Sequence, residues 1–124
     1  MFGGNRTWLM SVRDALNACQ AIAAPNVGIA VDVYHVWWDT DLAAACVEAD
    51  DLIMGFHLCD WLETTGDMLL DRGMMGDGVA DIKVIRAAVD EAGYTSFCEV
   101  EIFSRDNWWC CPPDEVLDTS LIVS

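Results

Sequence analysis

The sequence predicts an α/β fold in which a parallel sheet is covered by helices. Segments with helical spacing alternate with short strand-like segments along most of the 124 residues, which is the order typical of this class. Residues 27–32 and 51–60 are apolar almost throughout, as expected of strands whose two faces are both buried. The length suits one ordinary domain and is short for any large barrel.

The first half of the chain is predicted to contain a helix, a strand, a second helix and a second strand. We expect the first helix over about residues 6–23, because apolar residues recur there at helical spacing. Those residues are Trp8, Leu9, Val12, Leu16 and Cys19. Thr40 is the expected N-cap of the second helix, over residues 41–49. The two apolar runs at 27–32 and 51–60 are the strands.

The second half is predicted to contain a long loop, a helix, a third strand and a last helix. Residues 61–80 hold four glycines and three aspartates and are long for a purely structural connection. Asp81 is expected to cap a helix that carries an apolar stripe and stops at Gly93. Residues 97–104 alternate as a strand does. A proline pair then opens the last helix.

Acidic residues dominate the charge of the chain, with 21 Asp and Glu against 6 Lys and Arg and a formal net charge of -15. Nucleic acids and anionic membrane surfaces are therefore disfavoured as partners, because clustered basic residues bind both. No apolar run approaches the roughly 18 residues of a membrane-spanning helix, and a signal-peptide pattern is missing. We therefore expect a cytoplasmic protein. The six cysteines form no Cys-x-x-Cys pair, so neither a disulfide framework nor a zinc knuckle is indicated, and the first four are expected to be buried and reduced.

The three predicted strands each end in an ionisable side chain, namely Asp32, His57 and Glu101. Active sites of parallel α/β folds gather at the carboxyl ends of strands, so these groups can converge. Two carboxylates and one imidazole suit a divalent ion such as Mn²⁺, Mg²⁺, Co²⁺ or Zn²⁺. The residues alone do not choose among these ions. Glu99 shares the side of Glu101 but lies deeper in the strand, so we select Glu101.

Each of these three side chains also has an ordinary structural explanation. Asp32 could start a turn, His57 could be a hydrogen-bonded core histidine, and Glu101 could face solvent. For any single residue the ordinary explanation is the more common one. Their equivalent positions in three successive units favour a shared site.

Four segments carry a specific resemblance to a known family: VDVYHVWWD, GFHLCDW, DRGMMGDGVADI and EAGYTSFCEVEIFS. Across nearly its whole length the chain resembles the closing portion of the sugar isomerase/epimerase family, whose fold is a xylose isomerase-like TIM barrel. The resemblance implies one domain over residues 1–124. That domain would be the C-terminal three βα units of a (β/α)8 barrel, a partial barrel of parallel strands with covering helices.

The resemblance also implies roles for individual residues. In the family an Asp-x-x-His at one strand end, a His on the next strand and a Glu on the last strand hold metal and substrate. The matching positions are Asp32, His35, His57 and Glu101. Asp32 and His57 would be metal ligands, and Glu101 would be both ligand and catalytic acid/base. His35 would hydrogen-bond a substrate oxygen.

Arg72 and the tryptophans extend the implied substrate site. Arg72 resembles the family's substrate-contacting arginine, with a solvated loop cation as an equal alternative. Four tryptophans follow two predicted strand ends, where a ring could stack on the C–H surface of a sugar. They are Trp37, Trp38, Trp108 and Trp109. At least one of each pair is expected to pack between loops and helices instead, and Trp38 is the one we assign to substrate.

The family's chemistry is implied by the same resemblance. A divalent metal clamps two adjacent oxygens of a ketose or aldose, and glutamates take and return a carbon-bound proton through an enediolate. The expected small-molecule partner is therefore a sugar or polyol. Sequence reasoning does not choose the substrate.

The chain departs from the family in carrying only part of the barrel. A complete barrel needs eight strands and roughly 250 residues, whereas the sequence predicts three strands. The family's second acid/base is a glutamate on the strand before the Asp-x-x-His strand, and it would precede Met1. We expect Met1 to fall inside the following loop, as an internal start or a truncation. The isolated chain is therefore expected to be inactive and to associate, as a homo-oligomer or with a complementing barrel half.

Three functional hypotheses remain open. The chain is a module of a metal-dependent sugar isomerase or epimerase that works only in a completed barrel, or it is a non-catalytic α/β fragment. An inosose dehydratase-like lyase of the same barrel family is the third. An endonuclease of the related DNA-repair branch is disfavoured by the charge of -15 and by too few ligands for a multi-zinc cluster.

Overall fold

The computed structural model describes residues 8–123, which form helices alternating with short strands. The elements in chain order are α1 (Val12–Ile22), β1 (Ile29–Asp32), α2 (Val33–Val36), α3 (Leu42–Ala49), β2 (Ile53–Leu58), β3 (Asp60–Trp61), β4 (Arg72–Gly73), α4 (Ile82–Glu91), β5 (Cys98–Val100) and α5 (Pro113–Val123). Short 3₁₀ turns cover Asp50–Leu52 and Trp108–Cys110. Within this described part, no helix has the length and apolar character to cross a bilayer.

The central sheet has three parallel strands in the order β1-β2-β5. In its register Asp32 of β1 lies opposite His57 of β2, and His57 lies opposite Glu99 of β5. The backbone N–H of Glu101 extends this pairing by donating to the carbonyl oxygen of Leu58 at 2.9 Å. Over residues 8–123 the sheet stays open, which confirms the prediction of a partial barrel.

The two faces of the sheet differ because strand residues alternate between them. Val31 and Phe56 lie opposite each other and are fully buried. They contribute to one apolar core with Leu16 of α1 and Val89 of α4. Helices α1, α3 and α4 form the layer over this face. The other face is more open and carries the half-buried His57.

The first helix begins later than the sequence predicts. Its N-cap is Ser11, whose hydroxyl oxygen accepts the backbone N–H of Asp14 at 3.1 Å and so satisfies a donor of the first turn. Trp8 is 82% exposed and Leu9 is 45% exposed, so including them in the apolar stripe was wrong. The predicted start near residue 6 lies outside the described residues.

The predicted caps of the later helices had different outcomes. Thr40 does not cap α3, whose N-cap is Asp41 without a side-chain hydrogen bond. The preceding turn is closed by Asp39, which accepts the N–H of Asp41 at 2.9 Å. Asp81 is confirmed as the cap of α4, where its Oδ1 accepts the N–H of Val84 at 3.2 Å.

The third strand is shorter than the predicted span of residues 97–104. The strand covers Cys98–Val100, with one further hydrogen bond from Glu101 to β2, because the chain then turns toward the long loop. There the carbonyl oxygen of Phe103 accepts the N–H of Arg72 at 2.9 Å, and the N–H of Arg105 donates to Leu70 at 3.0 Å. The loop thus supplies the backbone partners that the end of a longer strand would need.

The long loop is organised by the buried carboxylate of Asp60, which is 1% exposed. Its Oδ1 accepts the N–H groups of Trp61 and Ala80 at 2.8 and 3.0 Å. Its Oδ2 accepts those of Gly76 and Gly78 at 3.0 and 2.9 Å. A Cβ at Gly78 would collide with the carbonyl of Trp61, so only glycine fits there. Four backbone donors are therefore satisfied by one side chain.

This anchored loop returns the chain to the sheet. Its β3 and β4 segments pair antiparallel, with Asp60 opposite Gly73 and Trp61 opposite Arg72. Arg72 is consequently held beside the end of β2 and is only 3% exposed. The solvated-cation alternative for Arg72 is therefore wrong.

Asp60→Asn should lower the free energy of unfolding by about 3 kcal/mol, because the amide turns one acceptor into a donor that faces buried N–H groups. Urea denaturation followed by circular dichroism measures the change. The matched control is Asp106→Asn, at an exposed ion pair with Arg105, which should leave the midpoint unchanged. Equal midpoints for the two variants would show that Asp60 does not anchor the loop.

Candidate metal centre

Three side chains from three strands converge at the carboxyl edge of the sheet. Asp32, His57 and Glu101 each offer one ligand atom, and these atoms all lie within 4.8 Å of one another. Asp32 ends β1, His57 lies in β2, and Glu101 follows β5 directly. The geometric part of the sequence prediction, that these groups meet, therefore agrees with the structure.

The parallel register explains why these residues meet. Asp32 and His57 are direct neighbours across β1 and β2 and so point to the same face. Glu99 faces the same way opposite His57, and Glu101, two residues on, shares this face one step nearer the strand ends. Glu99 is exposed and lies outside the cluster. The cluster thus includes the glutamate that sequence reasoning selected.

Asp32 is oriented by the short helix that follows it. Its Oδ1 accepts the backbone N–H of Tyr34 at 2.8 Å, which makes Asp32 the N-cap of α2. Its Oδ2 faces the cluster and lies 3.6 Å from Nε2 of His35. One oxygen therefore fixes the carboxylate while the other is directed toward the cluster.

The cluster fits a divalent ion in donor type and size. Carboxylate oxygen and imidazole nitrogen are ligands shared by Mn²⁺, Co²⁺ and Zn²⁺, and Mg²⁺ accepts the oxygens. Ligand atoms about 2.1 Å from an ion lie at most about 4.2 Å apart across it. A cluster within 4.8 Å therefore needs only small side-chain rotations to close on an ion.

Arg72 reaches into this cluster. Its Nη1 lies 2.8 Å from Oε2 of Glu101 and 3.2 Å from Oδ2 of Asp32. The guanidinium lies over the rings of Tyr34 and Phe103, 4.4 and 4.8 Å from their centroids. Burial alone would lower the pKa of Arg72, but the nearby charges of Asp32 and Glu101 outweigh it and raise the pKa. The side chain is thus a buried permanent cation.

His35 and Trp38 border a cavity of about 240 Å³ beside the open edge of β1. Asp32 also lines this cavity, so both predicted substrate contacts lie near the cluster. The side chain of His35 is 44% exposed, and its pKa is lowered by burial against the opposing effect of Asp32. A neutral imidazole is therefore favoured at this rim.

The other tryptophans make contacts within the protein. Trp37 packs against Trp61 with ring centroids 5.8 Å apart. The indole N–H of Trp108 donates to Asp77 at 2.9 Å, and that of Trp109 donates to the carbonyl oxygen of Ile102 at 2.7 Å. The structural explanation thus covers these residues, and Trp38 is the member of its pair that borders the cavity.

Sequence reasoning missed two buried neighbours of the cluster. Tyr34 is fully buried, and its hydroxyl donates to the carbonyl oxygen of Met68 at 3.1 Å. Sγ of Cys59 lies 3.9 Å from Oδ1 of Asp32. Burial, with the charge of Asp32 second, raises the pKa of Cys59 to about 12. Tyr34 lies within the Asp-x-x-His motif and could have been suspected, whereas nothing in the sequence distinguishes Cys59 from the other cysteines.

Comparisons with known proteins agree with this architecture. Residues 2–122 match the xylose isomerase-like TIM barrel family. The crystal structure of protein SMc04130 from Sinorhizobium meliloti 1021 is 51% identical in sequence, with a TM-score of 0.87 over 91% of this chain and 42% of that chain. The crystal structure of IOLI protein with a bound zinc atom is 20% identical, with a TM-score of 0.80 over 92% of this chain and 42% of that one.

The chain thus spans less than half the length of these two solved structures. No curated protein matches the sequence.

Cys59 should resist alkylation by iodoacetamide at pH 8 in the folded protein, since its raised pKa and burial leave almost no accessible thiolate. The exposed Cys110 is the internal control and should react first. Peptide mapping by mass spectrometry measures both sites with and without urea. Labelling of Cys59 at the rate of Cys110 in native buffer would contradict the buried environment described for it.

Proposed function

The chain belongs to the xylose isomerase-like TIM barrel family, and from this premise we propose that it is part of a divalent-metal-dependent sugar isomerase or epimerase. The main support for this proposal is that ligand atoms of Asp32, His57 and Glu101 lie within 4.8 Å of one another. The proposed substrate class is a sugar or polyol with a carbonyl next to a hydroxyl-bearing carbon. This class suits a site that combines a Lewis acid with a carboxylate base.

In this proposal Asp32, His57 and Glu101 hold the metal. A bound divalent ion would polarise substrate oxygens and so acidify the neighbouring C–H bond. The IOLI protein, which has the same fold, was crystallised with a zinc atom, and this supports metal binding in the proposal. Two oxygens and one nitrogen leave Mn²⁺, Co²⁺, Zn²⁺ and Mg²⁺ as candidates.

Glu101 is the proposed proton carrier. Its side chain is 32% exposed, so a substrate can reach it, and it borders both His57 and the guanidinium of Arg72. Oε2 lies 3.7 Å from Nδ1 of His57 and 2.8 Å from Nη1 of Arg72. His35 and Trp38 would orient the substrate from the adjoining cavity.

Full activity is proposed to require the rest of a barrel. Over the described residues the sheet has three strands, and the two similar crystal structures are more than twice as long as the matched region. The second acid/base that the family resemblance implies would come from outside this chain. A complementing segment, in a longer parent or a partner chain, would pair with an edge strand of the sheet and close the site.

The metal site can be tested directly. Glu101→Gln should raise the dissociation constant for Mn²⁺ at least about tenfold in isothermal titration calorimetry, because a charged ligand is lost. The matched control is Glu99→Gln on the same strand face, which should stay within about twofold of the unsubstituted chain. Equal weakening by both substitutions would point to general surface charge instead of a site.

Activity can be tested by completing the barrel. Co-expression with the part of the Sinorhizobium protein that this chain does not match should produce a complex that exchanges solvent deuterium into ketoses and epimerises at least one of them. Glu101→Gln should reduce the rate at least about 100-fold, since it removes the proton carrier, and Glu99→Gln should not. A folded complex that binds Mn²⁺ but is inert toward a panel of ketoses and aldoses would favour the non-catalytic alternative.

A further inference from the structure

We propose that Arg72 is a built-in counter-cation that competes with the metal for Asp32 and Glu101. This inference rests on the proposed function, since it concerns the same ligand cluster. It assigns Arg72 a role on the metal side of the site, beyond the substrate contact implied by resemblance. In the metal-free protein, the guanidinium stabilises two carboxylates that would otherwise repel each other.

Arg72 contacts both acidic residues of the cluster through one nitrogen atom. Nη1 lies 3.2 Å from Oδ2 of Asp32 and 2.8 Å from Oε2 of Glu101. Oδ1 of Asp32 accepts the N–H of Tyr34, so Oδ2, which Arg72 contacts, is the oxygen that an ion would need. The same nitrogen also lies 3.4 Å from the carbonyl oxygen of Glu101. Arg72 therefore bridges both acidic members of the cluster.

The position of the guanidinium is enforced by its surroundings. Rings of Tyr34 and Phe103 lie on it at 4.4 and 4.8 Å, and the side chain is only 3% exposed. Solvent therefore screens its charge weakly, and its field acts on the cluster at close range. The two rings thus hold the guanidinium beside the carboxylates as long as these remain its partners.

One buried hydrogen-bond donor of Arg72 has no acceptor in the part of the chain that the structure describes. Its Nε–H is buried and has no hydrogen-bond partner among residues 8–123. An unpaired buried donor is costly and calls for a partner. A shift of the guanidinium that exposes Nε would let a substrate oxygen accept this N–H, so Arg72 would gain a contact when a metal takes the carboxylates.

The consequence is competition for the same oxygens. Asp32 and Glu101 carry two negative charges, Arg72 supplies one positive charge, and a divalent ion would supply two more. A cation close to the binding position repels the incoming ion and has to be displaced from the oxygens that the ion needs. Removing the charge of Arg72 should thus strengthen metal binding, although it removes a contact that orders the site.

The test measures Mn²⁺ affinity by isothermal titration calorimetry in the full chain. Arg72→Met and Arg72→Gln remove the charge, while Arg72→Lys keeps it. Arg86→Met is the control, because Arg86 pairs with Asp90 on α4, away from the cluster. We expect both neutral variants to bind Mn²⁺ at least about tenfold more tightly than the unsubstituted chain. The lysine and control variants should stay within about threefold.

Melting temperatures with and without Mn²⁺ test the inference even if a neutral variant folds poorly. Without metal the neutral variants should melt at a lower temperature, since two carboxylates lose their counter-charge. Saturating Mn²⁺ should then raise their melting temperature more than that of the unsubstituted chain. If either variant is unfolded without metal, Mn²⁺ should restore its circular dichroism, and failure to do so would overturn the inference.

The possible outcomes separate this inference from the proposed function. Unchanged or weaker Mn²⁺ binding in both neutral variants would overturn the competition while leaving the metal site intact. Equal tightening by the lysine variant would also overturn it, because charge would then not be the cause. Absence of Mn²⁺ binding in every variant would reject the metal site itself and the inference with it.

Discussion

The parallel pairing of β1 with β2 is the constraint on which the candidate site depends. It sets Asp32 beside His57, and the pairing of β2 with β5 brings Glu101 to the same edge. A slip of one residue would turn a strand's side chains to the opposite face. The register is held by the core on the other face, where Val31 and Phe56 are fully buried. The same strand register thus places the hydrophobic core on one face of the sheet and the polar cluster on the other.

Each buried aspartate near the sheet edge is stabilised by nearby hydrogen-bond donors. The chain carries a formal net charge of -15, and two of its carboxylates are buried near the sheet edge, in Asp32 and Asp60. Asp60 is satisfied by four backbone N–H groups, a fixed structural solution. Asp32 is satisfied by one backbone donor and by Arg72, a side chain that can exchange partners. Asp60 therefore has a structural role, whereas the carboxylate of Asp32 can change partners and so could bind a ligand.

Much of the architecture could be predicted from apolar patterning, because burial on both faces distinguishes parallel strands from their surroundings. Element ends were predicted less well. Trp8 and Leu9 fit the helical spacing of α1, but the side-chain cap at Ser11 begins the helix only after them. Thr40 was a chemically reasonable cap, yet Asp39 closes that turn. Local hydrogen bonds decide such ends, and composition does not encode which of several neighbouring caps will form.

The candidate ligands were found because strand ends in a parallel fold share one edge. The environment of Arg72 could not be found in this way, since it depends on a loop anchored by Asp60 and on the rings of Tyr34 and Phe103. These contacts join residues from four separate segments, and no periodicity links them. The burial of Cys59 beside Asp32 escaped prediction for the same reason.

The most direct measurement is the anomalous scattering of Mn²⁺ in crystals of the chain grown with the ion. The shared-edge geometry predicts a single strong peak within about 2.5 Å of Oδ2 of Asp32, a ring nitrogen of His57 and a carboxylate oxygen of Glu101. A peak at other carboxylates with none at this edge, or density that separates the three side chains, would contradict it.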